Sequence, residues 1–170
     1  MKILEIILPA LLVLLTAYLL LDKLLRNEEK KRNFEIFKNN VSIITPIRLR
    51  AYERLIILLE RTAPNKLILN VLKPNMTNFD LQTELLNTIR QEFAHNLSQQ
   101  IYVSNELWNY IRTAEESLLR LVNMCASQCN PADPANVLAE KIIEVYNASE
   151  HTPTEQAIEK LKAEVRSYFQ

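Results

Sequence analysis

Apolar positions along the chain are continuous from residue 3 to 21, absent from 26 to 32, and periodic from 34 onward. In the first stretch only Glu5, Pro9, Thr16 and Tyr18 interrupt an aliphatic run. About 19 residues in a helix span roughly 28 Å, close to the hydrocarbon thickness of a bilayer. The pattern therefore predicts a transmembrane anchor over residues 1–22. A cleaved signal peptide fits less well, because only Lys2 precedes the run and no small-x-small site follows it. Lys23, Arg26, Lys30, Lys31 and Arg32 lie after the run against Lys2 before it. By the positive-inside rule this predicts a single pass in an inner membrane, N-terminus out, with the rest of the chain cytoplasmic.

A polar neck is expected over residues 23–44, carrying the stripe Phe34, Phe37, Val41 and Ile44, which calls for a packing partner. A helical domain is expected over 45–170. Thr45 and Pro46 read as N-cap and first residue of a helix reaching about Thr62, with Ile47, Ala51, Tyr52, Leu55, Leu58 and Leu59 inward. Residues 66–73 are short and apolar, and periodicity leaves a helical turn and an extended crossing both open. Thr77 with Asp80 starts a helix bearing Leu81, Leu85, Ile89, Phe93 and Leu97. Ser104 caps another, whose stripe Leu107, Ile111, Ala114, Leu118, Val122 and Cys125 fills a ~100° arc. After the prolines at 131 and 134 comes a helix through Leu138, Ile142 and Val145. Thr152-Pro153-Thr154-Glu155 opens the last, which buries Ile158, Leu161, Val165 and Tyr168. The prolines at 46, 64, 74, 131 and 153 exclude one unbroken helix along the whole chain. The fold class is all-α: one N-terminal transmembrane helix followed by a bundle of about five helices.

Composition narrows the function classes. The chain of 170 residues contains no glycine, so phosphate-cradling loops, dinucleotide turns and nucleophile elbows are not present in their usual form. Helix ends must close on other residues, and Asn65, Asn130 and Asn147 stand where left-handed caps are wanted. Twenty basic and twenty acidic residues cancel, giving no global field for nucleic acid.

The stretches TPIRLRAYERL (residues 45–55) and EFAHNLSQQIYVS (residues 92–104) resemble an uncharacterised bacterial family of short, single-anchor membrane proteins. The resemblance runs end to end. It implies an anchor followed by helices, and no activity.

Candidate chemistry is sparse. Cys125 and Cys129 lie four apart on an apolar stripe, and two thiols without further ligands are not a zinc signature, so both are read as core. His95 has Glu84, Thr88 and Gln91 on its side of a helix, a solvated face without a nucleophile or metal beside it. No catalytic, metal or cofactor site is assigned. The candidates for partner binding are Arg50, Arg54 and Arg61, which share a narrow helix face with Ile57 among them, and the polar connection containing Gln99, Gln100 and Tyr102. Internal ion pairs are the competing reading for the arginines, and a plug at the bundle end for Tyr102. The expected function is a membrane-tethered interaction or adaptor module, not an enzyme. Its expected partners are the lipid bilayer and a protein, with self-association left open and nucleic acid excluded. The alternative is an accessory subunit of a larger inner-membrane complex that uses the anchor as its interface.

Overall fold

The computed structural model describes residues 2–168; within the first helix the side chains of residues 2–11, 13, 17, 19, 33 and 40 lie outside the described set, and with them the readings placed on Glu5 and Pro9. The described residues form six α-helices and one 3-10 helix, with no strand. They are α1 (Lys2–Thr62), α2 (Pro64–Val71), α3 (Asn78–His95), the 3-10 helix Leu97–Tyr102, α4 (Asn105–Ala126), α5 (Ala135–Asn147) and α6 (Pro153–Ser167). The all-α class is as expected, and residues 66–73 fall mainly in a helix. The chain divides into two compact units, Met1–Pro46 and Ile47–Gln170.

In the first unit the expected anchor must be corrected. Among the described residues no helix is long and apolar enough to cross a membrane. A span needs about 20 consecutive apolar residues. The single-pass, N-out placement in an inner membrane is overturned on this ground. The accessory-subunit alternative, which used the anchor as its interface, loses its basis with it. Phe34, Phe37, Val41 and Ile44 are exposed in this unit.

A second correction concerns Thr45 and Pro46, which do not start a helix: α1 passes through both. The local chemistry explains why. Thr152-Pro153 is followed by Glu155 at the third helical position, where its carboxylate answers the cap N–H at 3.0 Å. Thr45-Pro46 is followed at the same offset by Arg48, a cation that the positive end of a helix disfavours. Of the two threonine–proline pairs, the one that starts a helix is the one with the acid at the third position.

The second unit holds the core. The last turns of α1 bury Ala51, Tyr52, Leu55, Leu58 and Leu59. The stripes of α3 and α4 are buried as periodicity predicts, from Leu81 to Phe93 and from Leu107 to Cys125. Leu138, Ile142, Ala157 and Leu161 complete the cluster from α5 and α6. Several inward expectations fail at the margins: Ile47, Leu97 and Tyr168 are exposed, while Ile158, Val145 and Val165 are only partly covered.

Caps supply the helix starts. Thr77 and Asp80 form a reciprocal box, as do Thr152 and Glu155, and the Ser104 hydroxyl accepts from the N–H of Leu107 at 3.1 Å. Helix α5 has no side-chain cap of its own. Buried Asn78 serves it from α3: its Oδ1 accepts from Leu138 N at 3.1 Å, and its Nδ2 donates to the Asn130 carbonyl at 2.8 Å. The left-handed residue is not one of the three asparagines expected. Among the described residues it is Asn75, with φ 66°, directly after Pro74. Asparagine is the residue other than glycine that tolerates this region best.

Candidate functional site

The arginine face of α1 is built by helical phase. Ala51, Leu55, Leu58 and Leu59 are locked in the core, so Arg50, Arg54 and Arg61, on the far side, are held outward. Arg50 and Arg54 are exposed and have no ion-pair partner among the described residues. Ile57, between Arg54 and Arg61, is 53% exposed. Arg61 behaves differently. Its guanidinium meets Glu92 of α3 at 2.8 Å, so the internal ion-pair reading applies to this arginine and not to the other two.

The connection with Gln99, Gln100 and Tyr102 is a 3-10 helix. Gln99 is buried, its amide donating to the Ser98 hydroxyl at 3.2 Å, whereas Gln100 is exposed. Tyr102 is half-buried, and its carbonyl accepts from Arg48 Nε at 3.0 Å. Arg48 thus ties the 3-10 helix to the same helix that carries Arg50 and Arg54.

Around Arg48 lies a polar cluster that the sequence reading missed. The guanidinium also donates to the hydroxyls of Tyr52, at 3.3 Å, and of Tyr168, and its carbon lies 4.1 Å from the centre of the Tyr168 ring. Tyr52 donates to Glu164 Oε1 at 2.8 Å. The same carboxylate accepts from the Ser104 N–H at 2.9 Å and from the Ser104 hydroxyl. Burial, and then the carboxylate that accepts its hydrogen bond, push the Tyr52 phenol far above its ordinary value near 10. Burial alone would raise Glu164 as well. Hydrogen bonds from Ser104 and Tyr52, with Arg48 nearby, outweigh it and hold this carboxyl below its ordinary range. Arg48 and Tyr52 at i, i+4 were a visible signal; Glu164, 112 residues from Tyr52 in sequence, was not.

Cys125 is fully buried and Cys129 partly so. Burial pushes the Cys125 thiol up, away from the thiolate that nucleophilic or ligand chemistry needs. His95 is exposed on the last turn of α3. Among the described residues no group of three or more His, Cys, Asp and Glu side chains could hold a metal ion.

A family model matches residues 1–168, and the chain belongs to that family, described as "Family of unknown function (DUF7935)". The match covers both stretches that carry the sequence resemblance, residues 45–55 and 92–104. No curated protein and no solved structure matches the chain.

Proposed function

We propose that this member of the family is a helical interaction module that docks a protein partner on the outward face of α1, at Arg50, Arg54 and Ile57. One observation carries the reading: two exposed arginines, without ion-pair partners among the described residues, precede exposed Ile57 on a helix whose opposite face is fixed in the core. A fixed helix presents guanidinium forks with little further loss of freedom. Arginine is also enriched at the centre of protein interfaces, where planar bidentate pairing with carboxylates adds specificity. The chemistry selects a partner with acidic groups around an aliphatic contact. Gln100 and Tyr102 lie on the 3-10 helix that Arg48 joins to α1; Arg48 is on a different side of α1 from Arg50 and Arg54, so these two residues stand outside the proposed surface.

A photo-crosslinking residue in place of Ile57 tests it in the full-length chain, expressed in its native host. The expected result is a discrete adduct that disappears when Arg50 and Arg54 are both changed to glutamate. A crosslinker at Phe79, exposed on α3, should give no such adduct. Identical adducts from both positions, or an Ile57 adduct indifferent to charge reversal, would contradict the reading.

A further inference from the structure

Helices α1 and α6 border a groove of about 320 Å³. Two hydrogen bonds fix how the helices run beside it. Tyr52 bonds Glu164, and one turn earlier on α1 Arg48 bonds Tyr168, just beyond the end of α6. The two helices are therefore antiparallel. Leu49 and Ile56 line the groove from α1, and Leu161 and Val165 line it from α6. Leu49, Ile56 and Val165 are only half-buried, so aliphatic surface stays open to solvent. Charge is unevenly distributed along the two edges. On α6, Lys162 and Arg166 are exposed one turn apart, and neither has an ion-pair partner among the described residues. On α1 the charged lining residue is Glu53, also exposed.

We infer that this groove receives an amphipathic helix of the protein partner, with aliphatic residues against Leu49, Ile56 and Val165 and carboxylates one turn apart facing Lys162 and Arg166. The inference rests on the docking reading of α1 in taking the same partner as the occupant, and it adds the form of the segment that binds. The two surfaces are continuous on α1. About 100° of helix separates Ile56 on the groove wall from Ile57, and Glu53 stands one turn from Arg50. Backbone chemistry selects a helix over an extended peptide. The described residues contain no strand whose edge could pair with one, so an extended peptide laid on aliphatic walls would leave N–H and C=O groups unsatisfied. A helix satisfies its own. From Leu49 to Ile56 the wall rises roughly 10 Å, about two turns, the reach of apolar anchors spaced three or four residues apart. Lys162 and Arg166, four apart, set the same one-turn spacing for the acids. Glu53 on the opposite edge disfavours acids there, so the charge pattern also fixes which side of the segment faces α6.

The test places a photo-crosslinking residue at Lys162 of the full-length chain in its native host. A control crosslinker goes to Ala163, which is exposed, lies about 100° around α6 and lines a different cavity. Lys162 should give an adduct with the same protein that Ile57 captures. The crosslinked segment should carry aliphatic residues three or four apart and acids along one edge, and Ala163 should give no such adduct. A carbon-13-labelled synthetic peptide of that segment should show helical chemical shifts when bound to the purified chain, and a proline at its centre should weaken binding at least about tenfold. Lys162→Glu with Arg166→Glu should weaken the peptide about tenfold, and lysines in place of its two facing acids should restore the affinity. Both residues are exposed and unpaired among the described residues, so the reversal leaves folding intact. An Ile57 adduct without one from Lys162 would overturn the groove and leave the α1 face standing. Absence of both would remove the docking reading and this inference with it. A Lys162 adduct with a second copy of this chain, a peptide that binds in extended form, or binding indifferent to the charge reversal would each overturn the inference.

Discussion

Glu164 accepts from the Ser104 N–H, the Ser104 hydroxyl and Tyr52, so one carboxylate joins α6 to α1 and to the start of α4. Its protonation state then affects how firmly three helices are held. A carboxyl held low in the folded chain contributes stability that is present above its ordinary value near 4.5 and is lost as pH falls through the depressed one. Tyr52 works in the opposite sense. Its raised phenol contributes stability that is complete below about 10 and declines as pH rises from there toward the raised value. Denaturant midpoints measured across pH should fall at both ends. Glu164→Gln should flatten the acid limb, and Tyr52→Phe the alkaline one. Asp80, also held low by Thr77, acts alike in parent and variants, so the difference isolates the pair. Parallel curves for parent and Glu164→Gln would show that the cluster does not hold the helices together.

At the scale of elements, what could be read from the sequence was decided by local chemistry. Capping boxes act over three residues, so Thr77–Asp80 and Thr152–Glu155 announced α3 and α6, and Ser104 announced α4. Stripes of i, i+4 residues announced which faces of α3 and α4 are buried. Two local signals misled. The aliphatic run at residues 3–21 resembled a membrane span, yet no span exists among the described residues. Thr45-Pro46 resembled a start, but it lacks the acid at the third position, and α1 continues. Pro46→Ala tests that continuity. Inside a helix, proline removes a hydrogen bond and crowds the preceding turn at about 3 kcal/mol, whereas at a first position it is nearly neutral. The replacement should therefore raise helicity and stabilise the chain by about 1–3 kcal/mol, measured by circular dichroism and denaturant unfolding. An unchanged or lower midpoint would put a helix boundary at this proline after all.

For the molecule as a whole, the sequence pattern supplied surfaces and could not supply pairings. Helical phase placed Arg50, Arg54 and Arg61 on one face. Only the fold shows that Glu92 engages Arg61 and leaves the other two exposed. In the same way the Arg48 cluster draws on residues as far apart as 48 and 168, and contacts at that separation leave no periodic trace. Zero net charge over the chain makes a local arginine face informative, because no general basic field explains it. The central claim is that this face docks a partner, and Arg54→Glu tests it most directly. Arg54 is exposed and unpaired among the described residues, so reversal should leave helicity unchanged and the unfolding free energy within about 0.5 kcal/mol of the parent. Capture of the partner crosslinked at Ile57 should fall at least about tenfold. Unchanged capture with unchanged stability would reduce the face to solvated surface and contradict the account.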